Sequence, residues 1–533
     1  MATRHRIDEA QYNLNQGDVE KYFNQITNII EENSGVHDFK MISHDCSNTA
    51  APFRSNAFTE FKLTDTAMDI VDISKGFITM KVSMDVLFLL EGSEQSALKT
   101  IPPVFFIGFK SAAHIIEIYN VFINGVMTNC KQNKSKHEQV ITYNSKARSE
   151  KIARPGMYSP HENVQEMSEC VCGAYLNPPV LENINRTTII TFDIVIQVDD
   201  LLPFSAFQYF PRYLCGDFVL QLSASITQNM VFCLVDHTTA IQNANDMEFG
   251  PNKVAEINKY FPKKQSFDHR FHQCGDYVMT MDPYSDAEGK LCKLTIIPSN
   301  LIVHNAKSYV HGFNIKSEAK QNIANMFSDK NLVIPAQWVD HYTFSQLPST
   351  TNIRTNLHVS MFNACQIIMT FPNSGNQLTV SRNPHLEAIQ CQVSDRIVPD
   401  KFFSTLDKAH AEMILESLNL DSLFEPAKEL VESLTKDRGF CNSWSLKIRD
   451  DSDYMLVINL ERYGNGCFCD GITDINVPVN FQANYINSTR NPHYYDMTGE
   501  LHAHNINLFI VSDAFWVFNE QGGQFIKDIN ARY

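Results

Sequence analysis

The sequence has no long hydrophobic run and no excess of basic charge. Its first residues, MATRHRIDEAQYNLNQG, contain no apolar core of the kind that a signal peptide needs, and no later segment approaches 18 uninterrupted apolar residues. We therefore expect no transmembrane segment and no passage through the secretory route. The net charge of −16 disfavours direct binding of nucleic acid, because such binding depends on clustered Lys and Arg.

The sequence also lacks strong enzyme motifs. It has no GxxxxGK phosphate loop, and the glycines of GNGCFCDG (464–471) have the wrong spacing for a dinucleotide site, which favours a hairpin there. The cluster of Asp268, His269, His272 and Cys274 has ligand types that zinc accepts, but the paired CxxC-type spacing of a structural zinc site is missing. We therefore predict no catalytic residue, no cofactor and no metal site.

Thirteen cysteines, an odd number, are expected to be reduced thiols that pack as small hydrophobic residues. The pairs Cys170/Cys172 and Cys467/Cys469 have the two-residue period of a strand face, which is typical of core positions.

The length of 533 residues is too great for one hydrophobic core, since single cores rarely exceed roughly 250–300 residues. Short runs rich in β-branched and aromatic residues predict strands at 55–65, 76–90, 101–110, 187–200 and 230–236. In 187–200, apolar residues alternate with polar ones, so one face of that strand is expected to be buried. Repeated short strands of this kind predict an antiparallel sandwich.

The second half of the chain continues this pattern. A strand at 293–305 is expected to close the first β domain, and a helix at 317–330 to link it to the second. Further strands are predicted at 331–344, 356–372, 441–451 and 455–467, and the tail 501–533 is expected to form a hairpin that turns at Gly522–Gly523. Long polar connections at 129–178 and 236–290 are expected to form outward projections, subunit contacts or mobile decoration.

Two helical regions interrupt the strands. After Asp18, a plausible N-cap, apolar residues recur at helical spacing up to Gly35. This amphipathic helix either packs on its own domain or forms an arm that docks on a neighbouring subunit or an underlying layer; the candidate interface residues are Val19, Tyr22, Phe23, Ile26 and Ile30. A helical insert is predicted at about 404–438, with Leu430 and Leu434 on its apolar stripe.

Four segments occur in a characteristic order: SNAFTEFKLTD (55–65), LLPFSAFQYFPRYLCGDF (201–218), NPHLEAIQCQVSDRIVPDKFFST (383–405) and the tail 501–533. In this order the chain resembles the double jelly-roll major capsid proteins of Polinton (Maverick) elements and related double-stranded DNA viruses of the adenovirus-like lineage. The resemblance extends over most of residues 50–533, although the long tower insertions of the large-virus members are lacking.

The resemblance implies an all-β fold of two tandem eight-stranded jelly rolls with helical inserts. It implies an N-terminal arm at 1–50, a first jelly roll at 51–325 and a second at 326–533. It further implies a major capsid protein that forms pseudo-hexameric homotrimers, which tile the facets of an icosahedral shell around double-stranded DNA. The partners would be neighbouring capsomers, penton and minor capsid proteins, and the chain would assemble in the host cytoplasm or nucleus and reside in the virion.

Two alternatives come from other classes. Jelly rolls also occur in carbohydrate-binding and glycan-hydrolysing proteins, where a hydrolase needs paired carboxylates in an aromatic-lined cleft. Only Trp338, Trp444 and Trp516 are present to line such a cleft. The other alternative is a vertex (penton) protein, which is normally a single jelly roll, so two β domains speak against it.

Overall fold

A computed structural model describes the greater part of the two β-rich halves. The described residues are 36–47, 53–54, 57–91, 104–107, 112–133, 135–144, 157–158, 174–176, 187–205, 207–225, 231–235, 270–273, 278–279, 292–328, 331–345, 352–371, 386–403, 455–461, 471–485, 505–519 and 522–527.

In the first half, the strands within these residues are β1 (Val36–Asp45), β2 (Phe53–Arg54), β3 (Phe58–Lys62), β4 (Ile70–Glu91), β5 (Val104–Ile107), β6 (Ile116–Ile123), β7 (Val126–Gln132), β8 (Met157–Tyr158), β9 (Ala174–Leu176), β10 (Thr187–Gln197), β11 (Tyr209–Pro211), β12 (Phe218–Ala224), β13 (Val231–Val235), β14 (Arg270–Gln273), β15 (Val278–Met279) and β16 (Cys292–Ile315). The helices are α1 (Ser135–Asn144) and α2 (Arg212–Cys215), with 3-10 helices at Ala112–Ile115, Val198–Asp200 and Leu202–Phe204.

The helix α3 (Ser317–Met326) links the halves, at the place where the sequence predicts it. The second half then contains β17 (Leu332–Ser345), β18 (Asn352–Thr370), β19 (Leu386–Val393), β20 (Arg396–Phe403), β21 (Leu456–Asn459), β22 (Ile472–Tyr485), β23 (Asn505–Asn519) and β24 (Gly522–Ile526).

Eight main strands of the first half form two facing sheets. One sheet has the order β1-β16-β4-β10 and the other has the order β3-β12-β6-β7. If these eight strands are counted along the chain, the two sheets read 1-8-3-6 and 2-7-4-5. This order is that of a jelly roll, in which the chain alternates between two antiparallel sheets.

The second half repeats this order. Its strand β18 bends at two register shifts between Val359 and Ala364, and Asn363 there has a positive φ of 49°. The part before the bend pairs with β22, and the part after it pairs with β23 and β21. If β18 is counted as two strands, its second part belongs to the sheet β17-β23-β18-β21 and its first part to the sheet β18-β22-β19-β20. With the eight strands of this half numbered in chain order, the two sheets again read 1-8-3-6 and 2-7-4-5. The predicted all-β fold of two eight-stranded jelly rolls is confirmed.

Strand β10 shows why alternating residues build these sheets. Phe192, Ile194 and Ile196 are buried, whereas Thr191 and Asp193 on the opposite face are half-buried. Successive side chains of a strand point to opposite faces, so this alternation places one face of β10 on the core. The prediction for 187–200 is confirmed at these positions.

Some strands differ from the sequence expectations. Strands β5 and β13, predicted as parts of the sandwich, instead pair with each other and with β9 and β14 in a separate four-stranded sheet. These four strands lie in the segments that connect β4 to β6, β7 to β10 and β12 to β16. The segments 129–178 and 236–290 are therefore not purely polar connections, because they contribute α1, β9, β14 and the end of β7.

Two further differences concern the ends of the chain. Residues 36–45, which were assigned to the N-terminal arm, form β1 and pair with the long strand β16 from Val36↔Ile315 to Asp45↔Lys307. In the last hairpin, Asn519 pairs with Gly522, so the two glycines predicted to form the turn lie in β24. A side chain at Gly523 would collide with Ile123 and Phe518, which explains glycine at that strand position.

Candidate functional site: the junction between the two sandwiches

The hydrophobic cores of the two sandwiches interlock. Strand β23 carries Trp516 and Phe518 into a buried cluster whose other aromatic residues come mainly from the first half, and β17 adds Trp338 to the same cluster. In the opposite direction, Leu202 and Ile141 of the first half pack in the core of the second half. Each half therefore completes the core of the other, and separating them would expose apolar surface on both.

Trp516 is the aromatic centre of this junction. Its fully buried indole N–H donates to the carbonyl oxygen of Pro203 at 2.8 Å, so β23 is fixed to the 3-10 helix Leu202–Phe204. The indole ring lies 5.7 Å from Phe204 and 5.5 Å from Phe218, measured between ring centroids. These distances are within the range of favourable aromatic pairs.

A buried polar cluster lies beside the aromatic one, with Glu138 of α1 at its centre. The hydroxyl of Tyr119 on β6 donates to Glu138 Oε2 at 2.8 Å, and the backbone N–H of Leu202 donates to Glu138 Oε1 at 2.8 Å. The side-chain amide of Gln139, the next residue of α1, donates to the carbonyl oxygen of Asp200 at 3.2 Å. Helix α1 is thereby tied to β6 and to the 3-10 turns that follow β10.

The same cluster reaches the second half through Gln132. This residue, the last of β7, donates from its buried side-chain amide to the carbonyl oxygen of Val339 on β17 at 3.1 Å. Gln132 also hydrogen-bonds the carboxyl of Glu138. The carboxyl of Glu138 is therefore linked directly to β6, β7 and the turn at Leu202, and through Gln132 to β17 of the second sandwich.

Burial controls the protonation of this cluster. It raises the pKa of Glu138 to about 7, against the opposing effect of the hydrogen bonds from Leu202, Tyr119 and Gln132. Burial, with a smaller effect of the Glu138 charge, also raises the pKa values of Tyr119 and Cys130 well above their usual ranges. Glu138 is the member of this cluster that titrates near neutral pH.

A second ionisable group lies at the edge of the junction. The ammonium of Lys527, just after β24, is 3.4 Å from the ring centroid of Trp338, a cation–π contact. Burial lowers the pKa of Lys527, while the charges of Asp340 and Cys130 raise it. Asp340 also accepts a hydrogen bond from the indole N–H of Trp338 at 3.0 Å, within β17. The contacts of Lys527 with the Trp338 ring and with the charge of Asp340 therefore hold the C-terminal hairpin against β17.

Several apolar residues are exposed on the outer surface, and some of them lie close together on and beside β1. On β1, Phe39 and Met41 are 62% and 56% exposed, and the ring of Phe39 lies 6.1 Å from that of His311 on β16. Phe77 and Tyr309 stack with 4.6 Å between their ring centroids on the same outer face. We call these five residues the β1 face; in soluble proteins, exposed apolar patches commonly mark interaction surfaces.

Exposed apolar residues also lie at the tips of two matching hairpins. Strands β6 and β7 turn at Asn124–Gly125, both with positive φ, and Val126 just after the turn is 69% exposed. Strands β19 and β20 turn at residues 394–395, with Ser394 at a φ of 53°, and Ile397 after that turn is 45% exposed. Because these are the fourth and fifth strands of each sandwich, the two halves present equivalent apolar tips.

Several predicted site residues lie outside the part of the chain that the structure describes. These are the interface candidates Val19, Tyr22, Phe23, Ile26 and Ile30, the helical insert at 404–438, Trp444, both CxC pairs, and the cluster residues Asp268, His269 and Cys274. The five cysteines whose side chains are described are buried, as predicted: Cys46, Cys130, Cys215, Cys365 and Cys391. Trp338 and Trp516 are core residues and line no open cleft.

Glu138 is not among the site residues predicted from the sequence. A usable signal is present, since Ser135 and Glu138 have the S-x-x-E spacing of a capping box and indicate a helix start within the predicted polar connection 129–178. In the structure this glutamate bonds Tyr119 and Leu202, so the local pattern identifies the helix and gives no hint of the buried contacts. Among the described residues, no group of three or more His, Cys, Asp or Glu is placed to hold a metal ion, and no helix is long and apolar enough to cross a membrane.

Comparison with known proteins finds similarity only in solved structures. No family model matches the sequence, and no curated protein matches it. The mavirus major capsid protein is 9% identical, with 92% of this chain and 90% of that chain covered and a TM-score of 0.46. A cryo-EM structure of the Sputnik virophage has 11% identity, coverage of 94% and 92%, and a TM-score of 0.45. The Faustovirus major capsid protein has 8% identity, coverage of 91% and 92%, and a TM-score of 0.42. Similarity this low carries no weight for function.

Proposed function

We propose that this chain is the structural subunit of an icosahedral capsid, a major capsid protein of the Polinton-like and adenovirus-like lineage. Three copies would form a homotrimer of near-hexagonal outline, and such trimers would tile the facets of a shell around double-stranded DNA. The observation that supports this most strongly is the repeated strand order. Two jelly rolls in one chain give six similar units in a trimer, and jelly rolls are a common architecture of viral capsid domains.

The interlocked cores support a structural role. A tile in a closed shell has to keep its two halves in a fixed relation, because each neighbour contacts both. Here Trp516 and Gln132 connect the halves by buried hydrogen bonds, and both cores contain residues of the other half. A boundary between residues 325 and 326 would therefore separate two folding patterns whose cores each contain residues of the other half, and the first pattern would begin at β1 instead of at residue 51.

The outer surface suggests where subunits meet. We expect the β1 face and the equivalent tips at Val126 and Ile397 to contact neighbouring copies, together with the amphipathic segment that carries Val19, Tyr22, Phe23, Ile26 and Ile30. Other partners would be penton and minor capsid proteins. A trimer would carry a formal charge of −48, three times that of one chain, so basic proteins or a membrane would separate it from the genome. The chain would then reside in the virion after assembly in the host cytoplasm or nucleus.

Light scattering of the purified protein tests this proposal. The expected mass is three times the chain mass of 60.7 kDa, without any added ligand. Electron micrographs of the same sample should show particles with a three-fold outline. A stable monomer would contradict the trimer, and a pentamer would favour the vertex protein. A monomer that binds glycans would favour the carbohydrate-binding alternative.

A further inference from the structure

The junction between the sandwiches contains a carboxyl group whose charge has no partner cation among the described residues. Glu138 is almost fully buried, and its two oxygens each accept a hydrogen bond from a different part of the chain, Tyr119 and Leu202. A carboxylate in such a place loses most of its hydration. The neutral form is therefore favoured more strongly here than in water.

The elements packed against α1 supply few charges to offset this cost. Tyr119 and Cys130 face Glu138 from β6 and β7, and both lose a proton only well above neutral pH. Glu117 precedes Tyr119 by two residues on the same strand face, and His114 is buried in the 3-10 helix that α1 contacts.

Other charged groups lie on the remaining sides of the cluster. Asp200 is buried in the 3-10 helix before Leu202, and its carbonyl accepts the bond from Gln139. Lys527 lies near Cys130 but is directed to Trp338 and influenced by Asp340. In this part of the chain, Glu138 is the acidic group whose oxygens hold α1 to β6 and to the turn at Leu202.

We propose that Glu138 is a proton-operated switch of the junction between the two sandwiches. With the proton bound, the neutral carboxyl remains in its buried position and α1, β6 and the turn at Leu202 stay closed together. Without the proton, the buried carboxylate favours states in which α1 moves away and water reaches the oxygens. The link from Glu138 through Gln132 to Val339 transmits this opening to β17 of the second sandwich. This switch is a property of the single chain and goes beyond the proposed capsid function.

The direction of the effect follows from linkage. The carboxyl binds its proton more tightly in the closed state, where its pKa is about 7, than in an open state where it meets water. Opening therefore releases a proton, and it becomes easier as the pH rises towards 7. Between the two pKa values, one released proton changes the opening equilibrium by up to about tenfold per pH unit.

Hydrogen exchange measured by mass spectrometry on the full chain tests this switch, with Glu138→Gln compared with wild type at each pH. The Gln variant keeps an acceptor for the Leu202 amide and cannot ionise. At pH 8, peptides that cover α1 and residues 198–205 should exchange faster in wild type than in the variant, and at pH 5 the two proteins should exchange alike. Equal exchange at both pH values would overturn the proposal, and so would a difference spread evenly over the chain.

Two further variants complete the test. Glu318→Gln removes an exposed carboxyl from α3 and should leave the exchange of these peptides at its wild-type value at every pH. Tyr119→Phe removes one hydrogen bond to the charged carboxyl and so raises the pKa of Glu138 in the closed state, which should move upward the pH at which the increase in exchange of these peptides levels off. If Glu138→Gln does not fold, this shift decides: an unchanged levelling-off pH in Tyr119→Phe would refute the switch. None of these results depends on whether the chain assembles into trimers.

Discussion

Replacing Trp516 with Phe tests whether the two sandwiches unfold as one unit. The substitution removes the indole N–H and leaves the carbonyl of Pro203 buried without its donor, which costs about 1–3 kcal/mol. The smaller ring also leaves a cavity of roughly 40 Å³, which at about 24 cal/mol per Å³ costs a further 1 kcal/mol. The total expected loss of unfolding free energy is about 2–4 kcal/mol.

Urea unfolding followed by circular dichroism, at one fixed protein concentration, measures this loss. Because Trp516 belongs to the second half but packs in the first core, wild type and variant should each show one cooperative transition, with the midpoint of the variant lower. Trp338→Phe is the matched control. Its N–H donates to Asp340, which is only partly buried and can bond water instead, so a smaller loss of about 1–2 kcal/mol is expected.

The result that would refute the reasoning is a biphasic curve. If the halves were independent, Trp516→Phe would shift only one of two transitions and leave the other unchanged. Calorimetry of the same samples provides a second check. Independent halves would give two heat-absorption peaks, and a shared interior gives one.

The remaining predictions concern the ends of the chain and its pH dependence. Deletion of residues 1–35 should leave the thermal midpoint and the β content unchanged while impairing particle assembly. Deletion of residues 1–50 also removes β1 and should lower the thermal midpoint, so equal midpoints for the two deletions would contradict the role of β1. Gly523→Ala should lower the free energy of unfolding in urea by about 1–3 kcal/mol, because the added carbon meets side chains of β6 and β23. The control Gln524→Ala, on the exposed side of β24, should change this free energy by less than about 0.5 kcal/mol. Because the pKa of Glu138 is raised on folding, its contribution to stability is present below about pH 4.5 and is lost as the pH rises to about 7, on the order of 3 kcal/mol in all. The thermal midpoint of wild type should therefore fall relative to that of Glu138→Gln as the pH rises from about 4.5 to about 7. A constant difference between the two midpoints over this pH range would contradict this.

Much of the fold could be predicted from local patterns. The alternation in β10, the helix α3 and the position of the last hairpin each follow from a period or a composition that a short segment carries by itself. The two jelly rolls were implied by the resemblance to double jelly-roll capsid proteins, which depends on the order of four segments, and the strand pattern alone indicated only antiparallel sandwiches. Local patterns were less reliable where a residue's role depends on its partner, as with the glycines of β24.

The antiparallel sandwiches could be predicted from the sequence, since strands with alternating apolar residues bury one face, and repeated short strands of this kind commonly do so by packing two sheets together. The sequence could not determine which segments meet. Strands β5, β9, β13 and β14 are separated by long connections, and only the folded chain brings them into one sheet. Burial of Glu138 beside Tyr119 and Leu202, and of Trp516 in the core of the other half, likewise depends on contacts between distant residues. These contacts join residues that are far apart in the chain, so the position of the junction and the burial of Glu138 follow from the folded structure and could not be read from local patterns.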